Sequence, residues 1–392
     1  MFDKRKNIIW LASWYPNKFD PFTGDFIQRH AEAASLINNI HVLFVLRNGL
    51  GQYDEKPNEE KQSSFPGLST TTTYYRSPYF KIKGLDALFS AYKYLRVHYK
   101  FLRKYIKENG KPHGIHVHVA MRAGLGALMI KWIFGITYMV SEHWSGLCQG
   151  AEPSFNGLSP FERFCWKMIM KNARGYTAVS KYLAQAMKEK FSLINVDVIP
   201  NVVNKNIFFP SLSKPLSSQF IHISTLNFPK NPEQLMEAVA IVKNRIPDFK
   251  LFIFGEVVKS VQSLVDLLKI NEQVVFKGPA AQSELRKFLQ ESRALILYSR
   301  FETFGCVIIE ANACGVPVIV SDIPVFHENV LEGITGIFVP LNNSILLAES
   351  IYEMATDRYM FNQKEIVQHI SDKYSYEKIS VQFDHLYRTY FT

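Results

Sequence analysis

Ser299-Arg300-Phe301-Glu302-Thr303-Phe304-Gly305-Cys306-Val307-Ile308-Ile309-Glu310-Ala311-Asn312-Ala313-Cys314-Gly315-Val316-Pro317-Val318-Ile319-Val320 places two glutamates, Glu302 and Glu310, with seven residues between them. Ala294 to Tyr298 before it and Val318 to Val320 after it read as buried strands. About eleven residues of helical pattern lie between, which makes the stretch a βαβ unit of a parallel sheet. Gly315 stands where a left-handed C-cap is wanted and Pro317 follows, so the spacing predicts a helix from near Phe304 to Cys314.

A helix start offers unpaired N–H groups and partial positive charge, and Gly305 lets a ligand approach that backbone, so phosphate suits this position. Glu310 lies roughly 7 to 9 Å along the axis at 1.5 Å per residue, within reach of a ribose whose diphosphate rests at the helix start. Glu302 at the mouth is left for whatever the diphosphate carries. Spacing alone favours a solvated loop glutamate and a helix-surface glutamate, two of 35 acidic residues. The stretch, however, resembles the E-x7-E signature of retaining glycosyltransferases of family 4. That resemblance implies the GT-B fold, an α/β architecture of two Rossmann-like doubly wound parallel-sheet domains facing across a cleft.

A chain of 392 residues is too long for one ordinary core and suits two domains. Its four cysteines (Cys148, Cys165, Cys306, Cys314) form no Cys-x-x-Cys pair and no cluster with histidine, which reads as a reduced, cytoplasmic protein with no metal site. The apolar run Ile8 to Ala12 is too short for a signal-peptide core and reads as the first strand. Gly126 to Val140, interrupted by Lys131, falls short of the ~20 residues that span a bilayer, so no transmembrane segment is expected. Residues 1 to 200 hold 27 Lys+Arg and 15 Asp+Glu, and the remainder 18 and 20, so the +10 net charge belongs to the N-terminal half.

Apolar strand-like runs alternate with helical patterns throughout. Asn7 to Ser13, His41 to Leu46, Gly114 to Val119, Ile136 to Ser141 and Gly175 to Ser180 read as strands of the first half. Helices are expected after Gly24, from about Arg122 and from about Pro160. Phe220 to Ser224, Leu251 to Phe254, Val274 to Lys277, Ala294 to Tyr298, Val318 to Ser321 and Gly336 to Val339 repeat the alternation, which implies doubly wound parallel sheets. Asn231-Pro232 reads as a helix start, and Ser283 and Ser344 as N-caps. The polar run from 50 to 71 reads as a poorly ordered loop insertion. A boundary is placed in Val198-Ile199-Pro200-Asn201-Val202-Val203-Asn204, with a second polar linker at Ser211 to Ser218. The first segment is similar to the family's hinge, with Val202 and Asn204 in place of the usual Gly and Asp. The division is therefore 1–202 as an acceptor-binding domain, 203–373 as a nucleotide-sugar-binding domain, and 374–392 as a terminal helix returning to the first.

Lys230 follows strand Phe220 to Ser224, and a cation at a strand's carboxyl end can neutralise a diphosphate leaving group. The segment resembles the family's G-R-L-x-x-x-K-G, but Thr225 stands where the arginine belongs, which either weakens donor binding or leaves the charge to another residue such as Lys259 or Arg300. His116 and His118 alternate onto one face of a strand; no third metal ligand lies near, and the resemblance gives His118 a hydrogen bond to the donor sugar while His116 reads as an interior histidine. It also assigns catalysis to Glu302, His118 and Lys230, and donor binding to Glu310, Phe304, Gly305, Thr303, Thr225 and Gly24. Gly24, in Pro21 to Phe26, equally suits a plain turn. Glu142, His143 and Asn201 are weaker candidates for acceptor or sugar contacts. From Lys81 to Lys107 eight basic residues and one acidic residue interleave with Leu88, Tyr92, Leu95, Tyr99, Leu102 and Ile106. Such a basic amphipathic helix suits an anionic membrane surface, or a crossover helix with its stripe on the sheet.

The resemblance thus implies a metal-independent retaining hexosyltransferase without cofactor that uses a nucleotide diphosphate sugar as donor. Its acceptor is expected to be a lipid-linked or surface-polysaccharide glycan such as lipopolysaccharide or capsule, at the inner face of the plasma membrane. An epimerase of the same fold and an inactive nucleotide-sugar-binding protein are the alternatives. A dehydrogenase is excluded by the lack of G-x-G-x-x-G after the first strand, and the pI of about 9.2 is no argument for nucleic acid.

Overall fold

The computed structural model describes residues 5–48, 59–76, 83–211 and 216–391. Along the chain run β1 (Asn7–Ala12), α1 (Asp25–Ser35), β2 (Asn39–Asn48), β3 (Glu59–Phe65), β4 (Leu68–Arg76), α2 (Lys83–Asn109), β5 (Gly114–His118), α3 (Ala123–Phe134), β6 (Tyr138–Glu142), α4 (Pro160–Asn172), β7 (Tyr176–Ala178), α5 (Lys181–Phe191) and β8 (Asp197–Val198). Then follow β9 (Leu216–Ile223), α6 (Pro232–Val242), β10 (Lys250–Phe254), α7 (Lys259–Leu267), β11 (Val274–Gly278), α8 (Gln282–Glu291), β12 (Ser292–Leu297), α9 (Cys306–Ala313), β13 (Val318–Ser321), β14 (Gly336–Val339), α10 (Ser344–Ala355), α11 (Gln363–Tyr374) and α12 (Tyr376–Tyr390). The chain divides into two compact units. Unit 1 comprises Met1–Leu147, Pro153–Asn201 and Tyr376–Thr392, and unit 2 comprises Cys148–Glu152 and Val202–Ser375.

Unit 1 is built on a sheet in the order β3-β4-β2-β1-β5-β6-β7-β8. Its central strands are buried almost end to end, as in β1, β5 and β6. Strands covered by helices on both faces need continuous apolar runs rather than alternation. Unit 2 is a six-stranded sheet in the order β11-β10-β9-β12-β13-β14, parallel throughout. Leu235, Val239, Leu251, Ile253, Ile296 and Ile351 are among the residues that fill its core.

Several expectations change. The polar run from 50 to 71 is not all loop: β3 and β4 form an antiparallel hairpin at the sheet edge, and residues 50–58 lie outside the described residues. Four consecutive threonines in β4 supply β-branched side chains that favour a pleated surface. Gly67 turns the hairpin at φ 79°, where a Cβ would sit 2.8 Å from the Ser35 carbonyl. The linker at Ser211 to Ser218 is likewise shortened, because β9 begins at Leu216; residues 212–215 lie outside the described residues. Ser283 lies inside α8, whose N-cap is Ala281. Ser344 is the first residue of α10; the cap is Asn343, whose side chain accepts from the Leu346 N–H. Helix α9 begins at Cys306 rather than Phe304, because Gly305 takes φ 84° at the N-cap.

Helix α12 packs on α1 and β1 within unit 1. Ile379, Phe383 and Tyr387 recur at helical spacing and are buried. Trp10 Nε1–H can only donate, so the Tyr387 hydroxyl accepts it at 2.9 Å and donates its own hydrogen to His116 Nδ1 at 2.9 Å. His116 then donates from Nε2 to Ser141 Oγ at 2.6 Å, and Ser141 bonds Thr177. This directional chain makes His116 an interior, satisfied histidine. Removing its middle member, in Tyr387→Phe, orphans the Trp10 N–H and His116 Nδ1 together. The expected loss is about 2–4 kcal/mol of unit 1 stability, read by denaturant titration; a loss below about 0.5 kcal/mol would contradict the chain.

Candidate active site

Helix α9 and strands β9, β10 and β12 bring four segments to the carboxyl edge of the unit 2 sheet, where open α/β sheets bind ligands. Lys230 ends a single 3-10 turn, Phe228–Lys230. Its ammonium makes an ion pair with Glu302 Oε1, and Ser299 Oγ donates to the same oxygen at 3.3 Å. The two side chains are 21% and 13% exposed, so the pair is sheltered yet open to an incoming anion. Lys230 and Glu302 are thus brought together from positions 72 residues apart.

Arg300 does not supply the charge missing at Thr225. Its guanidinium donates to the Phe228 carbonyl, pairs with Glu233 at 3.0 Å and lies 4.4 Å over the Phe228 ring. Its backbone N–H bonds Pro229 at 2.8 Å. Arg300 therefore braces the lysine turn. Thr225 is exposed, and Lys259 opens α7 on an exposed turn.

Gly305 holds φ 84° and a Cβ there would press on Ile308 and Phe326 at 3.0 Å, so glycine is needed for the turn into α9. The Phe304 carbonyl accepts from Asn329 Nδ2 at 2.6 Å, and Asn329 Oδ1 accepts from Tyr374 at 3.0 Å. These bonds fix the helix start, where the first-turn N–H groups lack acceptors one turn back. Thr303 lies half-buried before it, and Glu310, within the helix, is 4% exposed.

Two supports escape sequence reading. Gly255 at the end of β10 has φ 131°, and a Cβ there would meet the Ser224 carbonyl at 2.1 Å. His222 in β9 donates from Nδ1 to the Ile296 carbonyl at 2.8 Å and accepts from Ser224 Oγ–H at 2.6 Å. Burial, with Lys230 nearby adding to it, holds this imidazole down to about 4, hence neutral. A lone histidine in an apolar strand carried no signal of this bridging role.

In unit 1, His118 follows β1 and β5 into the core, stacked on Trp10 with ring centroids 3.9 Å apart. Its Nδ1 lies 3.5 Å from His143 Nε2, while His118 Nε2 and His143 Nδ1 have no hydrogen-bond partner. His30, not singled out from sequence, joins them 5.8 Å from the His143 ring and bonds the Pro200 carbonyl at 2.9 Å. Burial pushes all of these, with His116, well below the usual histidine range.

The loop after His118 is strained, because the β-branched Val119 takes φ 64°. Ser13 Oγ donates to the Val119 carbonyl at 2.8 Å, and Glu142 accepts from the Ala120 N–H at 3.0 Å. Glu142 also accepts from the His143 and Trp144 N–H groups, at 3.1 and 3.3 Å. Burial raises its carboxyl to about 7 against the lowering effect of those three bonds. Its oxygens hold backbone. Gly24 packs likewise: at φ 66°, a Cβ would meet the Trp14 carbonyl carbon at 2.6 Å, so its role here is close backbone approach. Asn201 is buried with an unpartnered Oδ1. Among the described residues no group of three or more His, Cys, Asp or Glu is placed to hold a metal ion.

Residues 203–371 match the family described as Glycosyl transferases group 1, and residues 44–206 match Glycosyltransferase Family 4. The chain is 24% identical over 293 residues to N-acetyl-alpha-D-glucosaminyl L-malate synthase of Bacillus anthracis, covering 70% of this chain and 74% of that protein. It is 30% identical over 180 residues to the O-antigen chain mannosyltransferase RfbU of Salmonella typhimurium, covering 44% and 48%. Among solved structures, sucrose-phosphate synthase of Thermosynechococcus elongatus superposes with a TM-score of 0.74 at 20% identity, over 98% of this chain and 99% of that one. HepE of Anabaena, in complex with UDP-glucose, gives 0.73 at 17%, over 98% and 100%. The two sheets and these matches define a GT-B glycosyltransferase. Within that class the chain belongs to family 4, group 1, as the matches over residues 44–206 and 203–371 show.

Proposed function

We propose that the protein is a retaining glycosyltransferase that moves a hexosyl group from a nucleotide diphosphate sugar to a hydroxyl of a glycan, lipid-linked or on its way to a surface polysaccharide. The observation that carries the reading is the Lys230–Glu302 pair beside the start of α9. Lys230 and the N–H groups at Phe304 and Gly305 stabilise the departing diphosphate, and Glu302, released from Lys230, holds sugar hydroxyls. The acceptor oxygen bonds to the anomeric carbon on the face the diphosphate leaves, the C–O bond to phosphate breaks, and the acceptor proton passes to the leaving phosphate. No metal step is required in this scheme. His118, with its unpartnered Nε2, is the candidate of unit 1 for a sugar contact.

Support for the donor and acceptor classes comes from related proteins: HepE is described with UDP-glucose and with UDP and glucose, and RfbU as an O-antigen mannosyltransferase. Helix α2 supports a peripheral position on the cytoplasmic membrane face. Its stripe is divided in two, with Leu88 and Tyr92 exposed at 68% and 56%, whereas Leu102 is fully buried. The first half is thus free to meet lipid while the second packs; Lys81 and Ile82 lie outside the described residues. Among the described residues no helix is long and apolar enough to cross a membrane.

Thermal shift with UDP, GDP, ADP and their sugars tests the donor site. One nucleotide series should stabilise the parent and lose its effect in Glu310→Ala; no shift with any series would favour the inactive alternative. Once the donor is known, an inverted anomeric configuration in the product would contradict retention. Because Arg300 is engaged elsewhere, Thr225→Arg should tighten binding of the nucleoside diphosphate about tenfold by adding a charge-assisted bond. Calorimetry reads this; unchanged affinity would place the diphosphate away from Thr225.

A further inference from the structure

Within unit 1, a cavity of about 240 Å³ is lined by residues of α2 and of strands β2, β3 and β4. None of the residues discussed above as catalytic or donor-binding lines it. Its volume falls below the roughly 300–1,000 Å³ of sites for drug-sized ligands, so it suits one small ring with a single substituent.

Its walls have three chemistries. Phe101 and Tyr105 present aromatic rings, held in place by packing on His41 with centroids at 5.1 and 5.5 Å. Thr71 and Thr73, two apart on β4, point to one face and supply hydroxyls. His41 already bonds the Thr71 hydroxyl at 3.0 Å and Ser69 at 2.8 Å, so its ring is part of the wall. Lys61, Lys100 and Lys104 supply cations.

The placing of those cations is the informative part. Lys100 and Lys104 are four apart on one helix face, an arrangement that repels, and Lys61 reaches against Lys104 from β3. Glu59, 3.4 Å from Lys61, and Glu108 are the acidic residues of the lining, so three lysines against two glutamates leave +1. Burial holds His41 down to about 4, so it adds no charge near neutrality. Like charges gathered at a concave surface attract an anion, and aromatic faces beside hydroxyls suit the apolar and polar sides of a sugar ring.

We infer that this cavity is a second saccharide site, separate from the donor site, that takes one sugar ring bearing an anionic group, carboxylate or phosphate. Lys61 and Lys104 hold the anion, Phe101 and Tyr105 carry the ring, and Thr73 bonds its hydroxyls.

Calorimetry on the full chain with glucuronate, glucose 6-phosphate, glucose and inorganic phosphate tests it. At least one of the two acidic sugars should bind about tenfold or more tightly than both glucose and inorganic phosphate. Which one does so identifies the anion. The double variant Lys61→Ala, Lys104→Ala, at exposed positions, should reduce that affinity to the level of glucose, and added salt should weaken the parent's binding. The same samples titrated with the UDP, GDP and ADP series report the donor site independently, and the variant should leave that response unchanged. Inorganic phosphate or glucose binding as tightly as the tighter of the two acidic sugars, or an unaffected double variant, would each overturn the inference.

Discussion

Replacing Lys230 by alanine is expected to lower kcat/KM for glycosyl transfer by about two to three orders of magnitude, the loss typical of one preorganised group removed from developing negative charge. In the structure Lys230 is held by Glu302 and by a turn that Arg300 clamps through the Phe228 carbonyl, the Pro229 carbonyl and Glu233. The ammonium is therefore in place before a diphosphate arrives, with little ordering left to do. In the proposed mechanism charge on the leaving phosphate grows towards the transition state, so the loss should fall mainly on kcat, with a smaller rise in KM. Lys230→Arg should recover only part of the rate, because a planar fork replaces a point charge. A merely structural ion pair behaves differently: its removal lowers stability, because Glu302 is left sheltered and unpaired, and leaves turnover intact. Steady-state kinetics together with thermal unfolding of the variant distinguishes the two, and normal kcat with a lowered Tm would remove Lys230 from the chemistry.

Mild acid is expected to unfold unit 1 before unit 2. Six histidines of unit 1 (His30, His41, His98, His116, His118 and His143) are kept neutral by burial, at about 4 for the first three and well below the ordinary value for the others. Unit 2 has His222 at about 4 and a half-buried His369 that is also lowered. A folded value below the unfolded one means that the unfolded chain binds more protons between about 4 and 6.5. Stability is therefore whole above pH 6.5 and is lost as pH falls through that window. Between pH 7.5 and 5.5 each such group costs about 1.4 kcal/mol, and six cost about 8 kcal/mol, on the scale of a domain's whole stability. Glu142 acts with the opposite sign, since its raised value lets the folded state bind the extra proton as pH falls from about 7 towards 4.5, and it offsets roughly one histidine. The expected result is unfolding of unit 1 between about pH 6 and 5. All five tryptophans (Trp10, Trp14, Trp132, Trp144 and Trp166) lie in unit 1, so their fluorescence follows it selectively. A denaturation midpoint unchanged between pH 7.5 and 5.5 would show that these rings are not buried neutral.

Much of the fold and part of the site were legible in the chain, for reasons that differ by element. Strands such as Val318–Ser321 and Gly336–Val339 were legible because burial on both faces demands an unbroken apolar run. The α9 turn was legible because Gly305 and Gly315 mark positive φ, which few other residues adopt. The β3–β4 hairpin was misread as loop because its outward residues are polar and only pairing across the edge makes it a strand. The capping assignments at Ser283 and Ser344 failed because any serine near a helix start has the right chemistry, while only backbone position decides which residue caps.

The sequence by itself determined the βα alternation, the E-x7-E unit, the lone lysine with threonine in place of arginine, and the basic bias of the N-terminal half. Each is a local matter, a spacing or a residue type that holds wherever the segment lies. Only the tertiary structure decided that Lys230 pairs with Glu302 from 72 residues away, that Arg300 is spent on bracing, and that Glu142 and Gly24 hold backbone. It alone gathered His30, His116, His118 and His143 into one buried cluster. Partners and burial depend on contacts between segments far apart in the chain, and burial sets the dielectric that decides whether a polar side chain is charged, neutral or already satisfied.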